Sequence, residues 1–240
     1  MSVFRCKQFT VRQHNCAMKV NTDSLILGSW AQVGDERRIL DVGTGSGILS
    51  LMLMQRAAPD TRIDAIDIDA KAVAQAADNF RQSPWADNLR ALRADLTSWQ
   101  PHPRYSLIIS NPPYFSAPSA HTNAYREQSQ RRQDARQSRT LSPASLLHFA
   151  ARYLTDGGRL YCLYPYQQSD AVVAQAKDAG LRPGPRLDIR HNQVSQPYVS
   201  ALCFTAAQDC KERQMLTIRD RKGAYTEEFR SLCQPYYLNF

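Results

Sequence analysis

From Arg38 onward the chain alternates short β-rich runs with helix-length segments, and few folds accept that rhythm. Arg38–Val42, Arg62–Ile66, Leu89–Ala94, Tyr105–Ser110 and Arg159–Tyr164 read as strands. Ile48–Arg56, Ala70–Phe80, Ser145–Leu154 and Ser169–Ala179 read as helices, the third ending at Gly157-Gly158 and the fourth at Gly180. Strands that return through helices pair in parallel, so the expected fold class is α/β, a doubly wound and mostly parallel sheet. The unbroken apolar run Leu107-Ile108-Ile109 assigns Tyr105–Ser110 to the centre of that sheet.

Ahead of the alternation, Phe4, Phe9 and Val11 alternate with polar residues as in a short strand. Thr22 or Asp23 is the expected N-cap of a helix reaching about Val33. Behind it, Arg186–Arg190, Tyr198–Thr205 and Met215–Ile218 are further candidate strands. No repeat and no flexible linker interrupts the 240 residues. One domain is expected over 1–240, with 1–35 as an N-terminal extension and 36–240 as the core and its C-terminal strands.

Composition closes off other classes. A 43% hydrophobic content is enough for a sizeable core. No apolar stretch approaches the roughly 18–20 residues that span a bilayer, and the first thirty residues hold no apolar leader. A cytoplasmic protein away from membranes is therefore expected. Cys6, Cys16, Cys162, Cys203, Cys210 and Cys233 form neither a C-x-x-C pair nor a Cys/His cluster with metal spacing. No structural metal or disulfide is expected, and a monomer is the simplest assembly. The formal net charge of +8 and pI of about 9.3 favour a polyanionic partner.

The first strand runs directly into Gly43-Thr44-Gly45-Ser46-Gly47 and then a helix. Such a turn lets backbone approach a ligand closely. The spacing is G-x-G-x-G, not the G-x-G-x-x-G of a dinucleotide site. Asp41, two residues ahead of the first glycine, repels a pyrophosphate but attracts an ammonium, so a cofactor with a zwitterionic amino-acid end fits better. Asp67 and Asp69 follow the second strand, where an acid can accept from both ribose hydroxyls or cap the next helix. Asp95 follows the third strand, where it can accept from an exocyclic amine or cap a turn. Asp64 lies inside the second strand and has no assigned role. The candidate cofactor-binding set is Asp41, Gly43, Thr44, Gly45, Gly47, Asp67, Ile68, Asp95 and Leu96.

The fourth strand ends in Asn111-Pro112-Pro113-Tyr114-Phe115, the most specific signal in the chain. Two prolines stop the strand, remove two donors and hold the preceding residues extended. What remains is a rigid set of carbonyl acceptors beside an aromatic face. An aromatic or amide NH2 has a delocalised, weakly nucleophilic lone pair. Acceptors from Asn111 and the Pro112 carbonyl can hold its two N–H bonds and aim that lone pair at an electrophile, with Tyr114 stacked on the substrate plane. Asn111, Pro112, Pro113 and Tyr114 are the catalytic candidates. No residue set suggests a nucleophilic triad.

These features resemble the class I, S-adenosylmethionine-dependent methyltransferases with an (Asn/Asp)-Pro-Pro-aromatic motif, which act on adenine N6, cytosine N4 or a release-factor glutamine. The termini narrow the choice. Cys16-Ala17-Met18-Lys19-Val20-Asn21-Thr22-Asp23 and Leu27-Gly28-Ser29-Trp30 are similar to the start of the bacterial tRNA(Val) adenine-N6 methyltransferase family. Leu216-Thr217-Ile218-Arg219-Asp220, Gly223-Ala224-Tyr225-Thr226-Glu227-Glu228-Phe229 and Tyr236-Tyr237-Leu238-Asn239-Phe240 are similar to its end.

The resemblance implies a seven-stranded Rossmann-like methyltransferase sheet with an antiparallel C-terminal strand. It implies S-adenosylmethionine as cofactor and methylation of the adenosine 3′ of the anticodon in a valine tRNA. The chain departs from the family pattern at Asp67, where Glu is commoner, at Ser24, where glycine is usual, and at Gln196-Pro197 in place of Lys-Pro. Arg126, Arg131, Arg132, Arg136 and Arg139, within the polar stretch 116–140, are candidate RNA contacts, as is Lys19. Lys211 and Lys222 are weaker ones. The alternatives are a glutamine methyltransferase acting on a release factor, and a non-catalytic RNA-binding module on the same fold.

Overall fold

The computed structural model describes residues 3–14, 16, 18–112, 141–207, 210 and 212–240. Pro113, Tyr114, Phe115, the five arginines of 116–140 and Lys211 lie outside the described residues. Among the described residues, a hairpin of β1 (Val3–Arg5) and β2 (Thr10–Arg12) precedes α1 (Thr22–Trp30). The alternation follows as β3 (Arg38–Val42), α2 (Ile48–Met54), β4 (Arg62–Asp67), α3 (Ala70–Arg81), β5 (Leu89–Arg93) and β6 (Tyr105–Ser110). Then come α4 (Pro143–Tyr153), β7 (Leu154–Pro165), α5 (Tyr166–Asp178), β8 (Arg182–Asn192), β9 (Val199–Thr205), β10 (Arg213–Arg219) and α6 (Glu227–Cys233).

The main sheet has eight strands in the order β10-β8-β9-β7-β6-β3-β4-β5. It is mostly parallel, as expected. The antiparallel strand is β9, inserted between β7 and β8. The sheet extends one strand beyond the expected seven, because β10 pairs in parallel along the outer edge of β8. Alternate residues of the central strands feed two separate cores. Ile39, Leu107 and Ile109 face α1, α2 and α6, whereas Leu40, Ile108 and Leu160 face α4 and α5. Burial on both faces is why these strands read as continuous apolar runs.

Two local expectations give way. The N-cap of α1 is Asn21, whose Oδ1 accepts from the Ser24 N–H, rather than Thr22 or Asp23; the helix stops at Trp30. Gly157-Gly158 does not end α4, which stops at Tyr153 where Leu154 turns extended and starts β7. The two glycines make a bulge instead. Tyr105 pairs with Leu154 and Leu107 with Arg159, so the residues between are looped out, with Gly157 at φ +76°.

Candidate active site

The chain leaves β3 toward β4 and β5 on one side and β6 toward β7 on the other, so β3 and β6 flank the point where strand order reverses. Open α/β sheets bind ligands at the carboxyl ends of strands at that point. Val42 pairs with Ser110 in the register, and the Ser110 hydroxyl donates to the Val42 carbonyl at 2.9 Å. Gly43 and Asn111 therefore leave the sheet side by side. The two motifs, nearly seventy residues apart in sequence, become one site.

The glycine loop is held by backbone. The N–H groups of Gly43 and Thr44 both donate to the Ile66 carbonyl, at 2.8 and 3.0 Å. Gly43, Gly45 and Gly47 all have positive φ. Gly47 is needed for space as well, since a Cβ there would lie 2.5 Å from the Phe80 ring of α3. A Cβ on Gly43 or Gly45 would project into open space, so that side of the loop is bare. Asn79 of α3 ties the loop to the N-terminal hairpin: its Nδ2 donates to the Ser46 and Arg12 carbonyls, both at 2.8 Å.

The three acids separate by environment. Asp41 is fully buried. Its Oδ2 accepts from Thr44 Oγ1 (2.7 Å), Ser50 Oγ (2.7 Å) and the Ser50 N–H (3.2 Å), which leaves Thr44's hydroxyl turned inward. Its Oδ1 has no partner. Burial pushes the Asp41 carboxyl up to about 6 against the opposing effect of those hydrogen bonds.

Asp67 is half-buried and faces the loop, accepting from the Gly45 N–H at 3.0 Å and the Asp69 N–H at 2.9 Å. Burial raises its pKa. Asp69 is the N-cap of α3, accepting from the Lys71 N–H, so the two readings divide between the two acids. Asp95 is exposed and caps a turn through Oδ1, which takes the Thr97 N–H and hydroxyl. Those bonds lower its pKa. It stays close to Asp67, because the Ala94 N–H donates to the Asp67 carbonyl at 3.0 Å. Ile68 is 45% exposed beside these acids, an uncovered apolar surface, while Leu96 is buried. Asp64 points away to Arg90 and the Tyr105 hydroxyl and is structural.

Asn111 is oriented by a residue that sequence reasoning gave no role. Its Nδ2 donates to Ser24 Oγ at 3.0 Å. The Ser24 hydroxyl in turn donates to Asn21 Oδ1 at 2.9 Å. Ser24 has thus spent its proton and offers only lone pairs, so Asn111 must present its NH2 there and keeps its Oδ1 as the remaining acceptor. Pro112 is buried beside it. The signal for Ser24 was its departure from glycine, which did not show that its hydroxyl meets Asn111. Cys16 also approaches the site: burial, with the charges of Asp67 and Asp69, pushes its thiol up to about 11. Lys19 is exposed.

The donor and acceptor set fits the expected cofactor. The unpartnered Asp41 Oδ1 suits an ammonium, the bare glycine face suits a close approach, and Asp67 with Ile68 suits a ribose and a flat base. The methyltransferase small domain model matches residues 14–172. A relative from Tolumonas auensis is 40% identical over 235 residues, covering 98% of this chain and 96% of its own. One from Klebsiella pneumoniae subsp. pneumoniae is 38% identical over 239 residues, covering 98% of this chain and 94% of its own. Both are named tRNA1(Val) (adenine(37)-N6)-methyltransferase.

Among solved structures, a predicted O-methyltransferase from Agrobacterium tumefaciens has a TM-score of 0.65 at 16% identity, over 88% of this chain and 95% of that one. It shares the fold. The methyl donor is S-adenosylmethionine. A switch-point site that joins a glycine loop to Asn111 and Pro112, and similarity to these relatives over 98% of the chain, lead to one conclusion: the chain belongs to the tRNA1(Val) (adenine(37)-N6)-methyltransferase family.

Proposed function

We propose that this enzyme methylates N6 of adenosine 37, next to the anticodon, in a valine tRNA. The observation that carries the reading is the pinned Asn111: its NH2 is used on Ser24, its Oδ1 is left as an acceptor, and the strand register sets it beside the glycine loop. S-adenosylmethionine supplies, when bound, a methyl on a sulfonium, an electrophile that asks the protein for geometry rather than for a nucleophile.

The chain's own residues provide that geometry. Asp41 Oδ1 accepts from the ammonium of the methionine end, and Gly43, Thr44, Gly45 and Gly47 offer backbone along it. Asp67 accepts from the ribose, while Ile68, Asp95 and Leu96 border the cofactor adenine. Asn111 Oδ1 and the Pro112 carbonyl accept the two N–H bonds of the target amine, Pro113 keeps that corner stiff, and Tyr114 stacks on the base. Fixing two reactants in line contributes up to roughly 7–11 kcal/mol to lowering a barrier. Arg126, Arg131, Arg132, Arg136, Arg139 and Lys19 contact phosphates, in keeping with the net charge of +8. The target base is splayed out of the loop to reach the corner.

Mass spectrometry of nucleosides from individually purified tRNAs tests this. Cells lacking the protein are expected to lose N6-methyladenosine at position 37 of valine tRNA, and the purified enzyme with cofactor to restore it in vitro. An unchanged valine tRNA, together with methyl transfer to a release-factor glutamine, would replace this reading with the glutamine one.

A further inference from the structure

The two terminal motifs, of which the catalytic geometry uses only Asn21, meet in one place. A cavity of about 290 Å³ at the carboxyl edge of the sheet is lined by Asn21, Thr22 and Asp23 from the start of α1, by Ile218 and Arg219 from the end of β10 and by Tyr225 beyond it, with His191 and Tyr198 completing its wall. Its volume lies near the low end of small-ligand sites. Asn21 connects it to the catalytic corner, because the same Oδ1 that caps α1 accepts from Ser24, which holds Asn111.

The lining suits an unpaired nucleotide. His191 and Tyr198 are stacked, with centroids 4.1 Å apart and planes within 4°; His191 is the exposed ring of the pair. The Tyr198 hydroxyl donates to Asp23 Oδ1 at 2.6 Å, which fixes the inner ring. The exposed Arg219 guanidinium lies 4.1 Å from the Tyr225 centroid and donates to the Gly223 carbonyl, which holds a cation over an aromatic face. Two residues on from His191, Gln193 accepts from Arg190 through its carbonyl and from Arg221 through Oε1, which gathers two further cations on the same β8–β9 turn. Stacked rings and a guanidinium beside them are the means by which proteins hold single-stranded bases and their phosphates.

We propose that this cavity is a second nucleotide subsite, taking an unpaired base that flanks the methylated adenosine, with that base extending the His191–Tyr198 stack and its phosphate held by Arg219. The proposal rests on the tRNA reading above and gives one role to residues from two distant parts of the chain that line the same cavity.

Steady-state methylation of a valine anticodon stem–loop, intact or carrying an abasic nucleotide scanned through the loop, tests it. His191→Ala is expected to raise KM for the intact RNA about 10-fold while kcat and cofactor affinity hold. Arg219→Lys, which keeps the charge but loses the planar stack, should give a smaller rise. An abasic nucleotide at the flanking position should raise the wild-type KM by the same factor and add nothing to His191→Ala. Equal KM for wild type and His191→Ala, or abasic penalties that multiply in full with the substitution, would overturn the subsite alone. Wild-type enzyme that methylated no tRNA would overturn the tRNA reading with it.

Discussion

The two sides of the catalytic cleft are assembled by different means. On the cofactor side, the contacts are short in sequence. Thr44 reaches Asp41 across three residues, Ser50 across nine, and Gly45 meets Asp67 across 22. One β-α-β unit makes nearly all of them. On the target side the contacts are long: Asn111 to Ser24 spans 87 residues and Tyr198 to Asp23 spans 175. The C-terminal tail adds contacts of the same length elsewhere, with the Tyr236 hydroxyl donating to the Met52 carbonyl of α2 and Lys7 to the Phe240 carbonyl. Closing contacts of such separation costs more chain entropy and needs most of the fold in place. The cofactor pocket is thus a property of a motif, whereas the target pocket is a property of the completed chain.

The contrast can be broken most directly by crossing two substitutions. Asn111→Ala should lower kcat by about 10²-fold or more with cofactor affinity nearly intact. Asp67→Ala should weaken cofactor binding about 10- to 100-fold in calorimetry, with a smaller change in kcat at saturation. If Asn111→Ala moved cofactor affinity as much as Asp67→Ala did, the two sides would not be separable.

Asp41 gives the next largest effect and belongs to the cofactor side. Its folded pKa of about 6 lies above the usual value near 3.9. The folded state therefore holds the extra proton between those values. The cofactor-free protein should gain stability as pH falls from about 6 to about 4 and lose it as pH rises through the same window, by about 3 kcal/mol at most. Asp41→Asn keeps an acceptor for Thr44 and Ser50 without the charge. Its melting temperature should vary less over that window, lie above the wild type at pH 7 and coincide with it near pH 4. Parallel melting profiles would show that the Asp41 charge carries no such cost. The smallest effect should come from Ser24→Gly, which frees the Asn111 amide to rotate. One hydrogen bond of roughly 0.5–1.5 kcal/mol predicts a fall in kcat of about 2- to 10-fold, with KM for RNA and cofactor affinity changed less. An unchanged kcat would remove Ser24 from the positioning of Asn111.

Reading the sequence found the parts of this molecule whose cause is local. Arg38–Val42 and Tyr105–Ser110 appear as strands with the expected ends, since their apolar runs and the turn residues beyond them act over neighbouring positions. The glycine loop was legible for the same reason. The pair Asp67 and Asp69 was not resolved, because a helix cap and a ribose acceptor look alike in sequence; only the direction of each side chain separates them. Gly157-Gly158 misled, because a helix stop and a strand bulge both favour glycine.

Sequence alone determined that a glycine turn follows a buried strand, that acids stand at successive strand ends, and that a proline-stiffened corner ends the central strand. Backbone stereochemistry and alternating burial dictate these within a few residues. The tertiary structure decided that Val42 and Ser110 share a register, which acceptor of Asn111 is left over, and that the two termini line one cavity. Those outcomes depend on pairings between segments far apart in the chain, and no local preference encodes which distant hydroxyl will receive a given amide.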